Sequence, residues 1–550
     1  MASDRIRCLL LIATVAAVGG GLRVGTAVAS KTQQSIFSDG TSELVSDPQQ
    51  TLTTLRSLGV TTLRVFVPWA SIAPRARSRR PPRAFVPADP ADYPRRAWKP
   101  FDALVRVAKA DGIRLLLQPT SPAPIWAVGR APRGTGEHNP ATWMPSAREF
   151  GEFVHALGTR YSGDYDPRAH AKRPGNPNDL PRISFWSIWN EPNFGPDLTP
   201  QAEHGIEVSA PEYRSLLDQA WSGLRASGHG HDTILFGELA ARGSVVPAIA
   251  NGTDPLRFLR ALYCVNRSYR PLRGGAAAVR HCPATTARSR RFASNNPALF
   301  QAGGYAAHPY TRGETGPPNI PSTRRHPDWA GFADMPRLIR ALDRLTAAYR
   351  SHRHFPIYIT EFGFQTSPPK LNCSCSSPAT AAYYMNWAEY LSWRDPRVAS
   401  YAQYQLADLP RSDVPVHGRY SFWASGLISP AGLPEPTYNA FRLPLFMPET
   451  RTASGRALRV WGDVRPAAFA SKDSGAPQHV QIQFRPRPGG AWTTLRTVKV
   501  TNRRGYFDVR LVFPHSGSVR LQWAYPVAST EEIARRPDTV VSRTQTITVR

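Results

Sequence analysis

The chain has 550 residues, of which 41% are hydrophobic and 20% charged, with 53 Pro and 40 Gly. That length holds a barrel of about 250–400 residues and a smaller domain besides. The formal net charge is +28. Arg is scattered along the whole chain and no nucleic-acid motif accompanies it. This argues against a nucleic-acid partner and leaves an acidic glycan open. Aromatic residues make up 10% of the chain, including 14 Trp. Trp faces suit sugar rings, although a large core also uses them.

The N-terminus reads as a secretory signal peptide over residues 1–29. Arg5 and Arg7 form its charged region, residues 8–18 its apolar region, and Ala27-Val28-Ala29 its cleavage site. The apolar stretch is too short to span a bilayer as a helix. The alternative is an uncleaved anchor. No later stretch is long and apolar enough for stable membrane insertion. A secreted, extracellular protein is the expectation, with a monomer as the default.

Export accounts for the cysteines. Cys8 leaves with the signal, and Cys264, Cys282, Cys373 and Cys375 remain. An even number in an exported chain suggests disulfides. A Cys264–Cys282 bridge would staple a Gly- and Arg-rich insertion, and closing such a loop is worth about 3 kcal/mol. Cys373-Ser374-Cys375 could close only a strained ring. A zinc site would want other spacing and His partners.

Strands and helices then alternate. Residues 35–37 form a first strand. Asp47-Pro48 opens a helix, with Asp as N-cap and Pro in the first turn. Leu52, Leu55 and Leu58 recur at helical spacing, and Gly59 ends the run. Residues 60–67 form the second strand, with Pro68-Trp69 beyond it. A long Pro/Arg-rich loop follows at 74–97, then a helix at 98–111 and a strand at 113–118. The loop at 119–126 ends at Trp126. A helix at 146–161 precedes the strand at 182–190. Further helices are expected at 211–227, 335–349 and 378–393. Further strands are expected at 233–239, 305–310, 357–361 and 398–406. Eight strands alternating with helices fit a (β/α)8 TIM barrel better than a doubly wound sheet. No Gly-rich phosphate loop follows an early strand.

After residue 450 the period changes to two, over 480–484, 495–500, 506–512 and 519–523. This predicts a small all-β sandwich, immunoglobulin- or fibronectin-like, over 450–550. It would be a carbohydrate-binding module, or a spacer or lid on the barrel's flank.

Two strands stop at a Glu. One is Phe185-Trp186-Ser187-Ile188-Trp189-Asn190-Glu191-Pro192 and the other Ile357-Tyr358-Ile359-Thr360-Glu361-Phe362-Gly363. An acidic side chain ending a buried strand is costly unless it has a task. Two of them suggest the paired carboxylates of a glycosidase.

These two motifs, in this order and on strands, resemble clan A of the retaining glycoside hydrolases. The chain most resembles families 39 and 5 (cellulase-like) over residues 34–446. The resemblance implies a catalytic barrel over 30–449 with Glu191 as acid/base and Glu361 as nucleophile. It implies Asn190 on the sugar 2-hydroxyl, Arg64 beside the nucleophile and Tyr310 bonding it. His308 would be a sugar contact, or a structural histidine. Trp69, Trp126 and Trp423 are candidate stacking platforms. Glu238 is a rival carboxylate that would bind substrate or a nearby Arg. The substrate would be a poly- or oligosaccharide, and no metal or organic cofactor is implied. Transglycosylation on the same scaffold, or a non-catalytic glycan-binding barrel, are the alternatives.

Overall fold

The structure is a computed structural model that describes residues 30, 32–39, 44, 47–132, 140–244, 248–370, 373–409, 423–486, 489–526 and 539–550. The expected signal peptide, residues 1–29 with Cys8, lies outside the described residues.

Eight strands close a barrel: β1 (Gln34–Ser38), β2 (Thr62–Pro68), β3 (Arg114–Thr120), β4 (Phe185–Ser187), β5 (Thr233–Ala240), β6 (Gly304–His308), β7 (Ile357–Ile359) and β8 (Val398–Tyr404). Spatial order follows chain order and β8 pairs with β1. Every pair is parallel. This is the (β/α)8 arrangement the alternation predicts. Among the described residues no helix is long and apolar enough to cross a membrane.

Local chemistry sets the outer helices. In α1 (Pro48–Ser57) the Asp47 carboxylate accepts from the Gln50 amide at 3.1 Å and Pro48 fills the first turn. Leu52 and Leu55 bury its inner face. Helix α2 (Arg95–Asp111) ends on Gly112 at φ +71°, the left-handed cap that glycine favours. Helices α3 (Ala147–Arg160), α4 (Ser209–Leu224), α5 (Pro255–Leu262), α6 (Met335–Ala347), α7 (Pro378–Arg394) and α8 (Pro436–Arg442) complete the set used below.

Strand β4 is much shorter than its apolar run suggests. The chain leaves the extended region at Trp189 (φ +66°) and Glu191 (φ +35°). It still bonds both neighbouring strands there. Trp189 N donates to Pro119 O and Glu191 N to Glu238 O, each at 3.0 Å. The backbone thus stays tied while its side chains are re-aimed. In the insertion between β5 and β6, Cys264 and Cys282 form the expected disulfide. Cys373 and Cys375 are bonded to each other.

Two further sheets follow the barrel. One holds β9 (Leu445–Phe446), β11 (Leu458–Asp463) and β14 (Tyr506–Leu511). The other holds β10 (Arg451–Thr452), β12 (His479–Pro486), β13 (Thr493–Lys499), β15 (Gly517–Ala524), β16 (Thr539–Val541) and β17 (Gln545–Val549). Val460, Ile482, Phe484, Val519 and Leu521 pack in one shared core, so the sheets face each other. Leu445 already pairs with Gly462 of this unit. A short helix, α9 (Ala467–Ser474), lies between β11 and β12.

The β unit packs on the end of the barrel away from the strand C-termini. It also packs along the flank of α7, where Phe446, Trp461 and Tyr506 cluster with Tyr383, Trp387, Tyr390 and Trp393. Arg56 on α1 pairs with Asp473 at 2.9 Å, and the Tyr525 hydroxyl donates to Ser57 O at 2.7 Å. Gly59, at φ +84°, lies so close to Arg465 that a Cβ there would meet its backbone at 2.4 Å. None of the residues that line the cavity described below belongs to this unit. Its anchor is Arg465, whose guanidinium grips both oxygens of Glu389 on α7 at 2.8 Å, with side chains 2% and 0% exposed. The Tyr506 hydroxyl donates to the same carboxylate at 3.1 Å. Replacing Glu389 by Ala removes the two shortest charged contacts of a buried guanidinium and leaves it Asp463 at 3.4 Å and the Phe441 carbonyl, a loss of up to about 3–5 kcal/mol. The expected outcome is a large fall in the urea midpoint with the same far-UV spectrum. A midpoint unchanged from wild type contradicts this anchor.

Candidate active site

Arg64 is central to the site. It sits in mid-β2 with its side chain turned into the barrel and fully buried. Its guanidinium donates to Glu361 Oε2 at 2.7 Å, Asn190 Oδ1 at 2.7 Å, Glu238 Oε2 at 3.0 Å and Ser38 Oγ at 3.0 Å. Removing such an ion from water costs several kcal/mol unless opposite charges and hydrogen bonds surround it. Here two carboxylates do so.

Glu238 lies at a bulge near the end of β5. Its own φ is +52°, and the β5–β6 register shifts between Ala306 and Ala307. The bulge turns its side chain inward to Arg64, to Thr360 Oγ1 at 2.8 Å and to the Ser187 hydroxyl. Burial pushes this carboxyl up, but Arg64 and His308 outweigh it and hold it at about 2. It is fully buried and out of substrate's reach, so of the two expected roles it takes the ion pair with Arg.

Glu361 follows β7 and accepts from Arg64 and from the Tyr310 hydroxyl, the latter at 2.9 Å to Oε1. Burial raises its carboxyl. The charges of His308 and Arg64, with the two hydrogen bonds, overcome this and hold it below the usual range. Burial and the Glu361 charge keep Tyr310 protonated far above its usual range, so it serves as a donor.

His308 ends β6 with no exposure. Its Nδ1 lies 2.9 Å from Glu191 Oε1 and its Nε2 lies 2.6 Å from Glu238 Oε2. Burial disfavours its charge. The Glu361 charge and hydrogen bonds to Glu191 and Glu238 outweigh that and Arg64, raising it to about 9. His308 is thus held between carboxylates, within the protein, and makes no surface for a sugar.

Glu191 itself sits on the left-handed turn beyond β4, with its side chain 16% exposed. Non-glycine residues at such φ values cost about 1–3 kcal/mol and cluster at functional sites. Oxygens of Glu191 and Glu361 lie within 4.8 Å of each other. The same distance relates both to a His308 nitrogen, a trio of donors that could meet a metal ion. Both imidazole nitrogens, however, already face carboxylates, and the Arg64 guanidinium holds Glu361. Two cationic groups in the cluster repel a third.

Both carboxylates open onto a cavity of about 690 Å³. Trp423 forms part of its wall, its ring 4.9 Å from Tyr310. Trp69 does not, which corrects that expectation. It starts a short helix (Trp69–Ile72) that turns it into the core, stacked on Phe153 of α3. Trp126 is likewise wedged between Trp69 and Phe85, its indole donating to Pro74 O at 2.9 Å. Asn190 is oriented by Arg64 and by Thr120 Oγ1, which accepts from its backbone amide at 2.9 Å.

Three neighbours were not anticipated. Trp329 and Phe194 line the cavity from loops beyond β6 and β4. Asp197 accepts from Ser121 Oγ at 3.0 Å, and burial followed by the Glu191 charge pushes its carboxyl up to about 8. The one signal for it was an acid six residues beyond Glu191 in a Pro/Gly turn.

No protein-family model matches the chain, and no curated protein matches it. Solved structures do. A family 39 glycoside hydrolase of Bacteroides cellulosilyticus is 13% identical, covering 88% of this chain and 79% of its own, with a TM-score of 0.42. A glucosidase of Croceicoccus marinus is 10% identical, covering 84% and 89%, with a TM-score of 0.42. The endo-β-1,4-mannanase of Thermotoga petrophila is 11% identical, covering 96% and 98%, with a TM-score of 0.38. A family expected from the two Glu motifs is therefore among the similar structures. The barrel rests on the strand pairing above and the site on its own geometry.

The electrostatics make a directional prediction. Tyr310→Phe keeps the ring and removes one donor from Glu361. Its carboxyl then titrates at a higher pH, seen by 13C NMR of labelled Glu, and the acid limb of any activity moves up in pH. Arg64→Met acts in the same direction but leaves two buried carboxylates facing each other, at about 3–5 kcal/mol of stability. A Glu361 titration unmoved in Tyr310→Phe contradicts this arrangement.

Proposed function

We propose that the protein is a secreted, retaining β-glycoside hydrolase. It cleaves O-glycosidic bonds of a poly- or oligosaccharide by double displacement. The observation that carries this reading is the pair Glu191 and Glu361, with oxygens within 4.8 Å across an open cavity. Retaining enzymes hold their carboxyls about 5–5.5 Å apart, whereas inverting ones need about 6.5–9.5 Å to admit water.

The two environments divide the roles. Glu361 is kept ionised by Arg64, His308 and Tyr310, as a nucleophile must be. Among the described residues Glu191 has no Arg as a hydrogen-bond partner, and its side chain is 16% exposed against 13% for Glu361. Glu191 can pass a proton to a leaving oxygen and later take one from water. The open cavity at both groups favours catalysis over a glycan-binding barrel without activity.

The cleft also bears on the substrate. Glu191, Glu314 and Glu361 line it, and Arg242 is the one basic residue among the lining residues described. Arg242 is paired with Glu314 and lies over the Trp329 ring. The basic excess of the chain is not focused there, and a neutral glycan suits this wall better than an acidic one.

The experiment uses a panel of 2,4-dinitrophenyl β-glycosides of glucose, xylose, mannose, galactose and arabinose, with azide as external nucleophile. Glu361→Gln and Glu191→Gln each lose about 10²–10⁴-fold or more in turnover on substrates with poor leaving groups, while staying folded. Glu191→Ala is still loaded by the activated glycoside, and azide releases a β-glycosyl azide. Glu361→Ala forms no intermediate and yields only an α-azide. The opposite pair of anomers, read by NMR, reverses the assignment. Wild-type turnover in either Gln variant refutes it.

A further inference from the structure

The site contains more ionisable groups than a double displacement needs. Glu238 and His308 are fully buried and cannot touch a glycan. They nonetheless form a continuous row with Glu191: Glu238 Oε2 to His308 Nε2 at 2.6 Å, then His308 Nδ1 to Glu191 Oε1 at 2.9 Å. His308 also has Glu361 Oε2 at 3.8 Å from Nδ1 and Arg64 at 3.2 Å from Nε2. Every element around it thus contributes a charge: Arg64 from β2, Glu191 beyond β4, Glu238 from β5 and Glu361 beyond β7. Tyr310, two residues on, bonds Glu361, and Asp197 lies beside Glu191.

We propose that His308 stores the proton that Glu191 delivers, emptied and refilled in step with the charge on Glu361, and that Glu238 is the positioning residue that fixes its tautomer. This rests on the roles proposed for Glu191 and Glu361.

Glu238, ionised between Arg64 and Thr360, can only accept hydrogen bonds. Glu238 Oε2 at 2.6 Å lies closer to Nε2 than the Arg64 donor at 3.2 Å, so Nε2 carries a hydrogen whatever the charge of the ring. The sole nitrogen whose protonation can change is Nδ1, and it faces Glu191. In the free enzyme the imidazolium donates Nδ1–H to the Glu191 carboxylate, with the Glu361 charge close by to stabilise it.

Attack of Glu361 on the anomeric carbon consumes that charge in an ester bond. The imidazolium is then left beside Arg64 without its counter-ion. The Nδ1 proton passes to Glu191 Oε1, and the carboxyl group turns to give it to the leaving oxygen as the glycosidic C–O bond breaks. Net charge is conserved: one cation on His308 and one anion on Glu361 disappear together. In the second step the ester C–O bond breaks as water attacks. The water proton goes to Glu191 and on to Nδ1 as Glu361 regains its charge.

The test needs no substrate. The full chain is labelled with 15N-histidine, and imidazole protonation is read from long-range 1H–15N spectra against pH. Of the 14 His, His308 is the signal missing from His308→Asn. In the wild type it stays an imidazolium at pH 8 and titrates near 9. Glu361→Gln mimics the uncharged, glycosylated nucleophile, and His308 should titrate at least about one unit lower, appearing at pH 8 as the neutral Nε2–H form. In Glu238→Gln the neutral ring should populate both tautomers.

An imidazolium that persists in Glu361→Gln to the wild-type pH overturns the store. A neutral ring wholly in the Nε2–H form in Glu238→Gln overturns the role of Glu238. Should Glu238→Gln not fold, Glu238→Asp keeps the charge on a shorter arm and should retain the single tautomer. Glycosidase assays on the dinitrophenyl panel separate the two levels. Inactive Glu361→Gln with an unmoved His308 refutes the store alone, while an active Glu361→Gln refutes the reading beneath it.

Discussion

The burial of one guanidinium governs this barrel. Arg64 has no route to water, so its charge has to be met inside. Groups from β1, from beyond β4, from β5 and from beyond β7 meet it within 3.0 Å. These contacts exist only when the barrel is closed, because Glu238 and Glu361 reach Arg64 from strands that are not its neighbours in the sheet. Fold and site therefore depend on one another. An open sheet would expose Arg64 to water but would separate the two carboxylates from it.

Burial and charged neighbours then distinguish three glutamates that composition cannot. Glu238 is sealed and ionised, Glu361 is nearly sealed and ionised, and Glu191 faces His308 on one side and the cavity on the other. The signs of the shifts also bound stability. Glu238 and Glu361, held low, contribute stability above their unfolded values and lose it as pH falls through the folded ones. His308, raised to about 9, contributes fully below its ordinary 6.5 and loses this as pH rises through 9. The cluster is thus at its most stabilising between the usual carboxylate range and the usual imidazole range.

The parts of the site that were legible in sequence are those on strands or at their ends. Glu191 and Glu361 end apolar runs, and Arg64 and His308 fall on inward positions of β2 and β6. Period two gives the inward face of His308 on β6, whereas Arg64, Glu191 and Glu361 are marked by the motifs of the resemblance, and Glu191 is aimed by a left-handed turn beyond β4. Past the strand ends the period lapses. Trp69 follows Pro68 into a helical turn, so an aromatic at a strand end became core and not a platform. Trp329 and Phe194 come from loops whose course no local pattern dictates. The inward turn of Glu238 depends on a bulge, seen only when β5 is paired with β6. Strand β4 read too long for a related reason: the apolar run continues through Trp189, but its φ does not stay extended.

The place of the β unit limits what can shape the cleft. It grips the barrel through Arg465 and Glu389 and an aromatic cluster along the flank of α7, and through α1 and the turn before β2. Gly59 shows how close this approach is, since any Cβ would overlap the Arg465 backbone. The walls around Glu191 and Glu361 instead come from the barrel's own loops, beyond β4, β5 and β6, and from Trp423 beyond β8. On the function proposed above, the selection of substrate resides in those loops. The β unit supplies none of the residues that line the described cavity, and its contacts with the barrel run through α7 and α1.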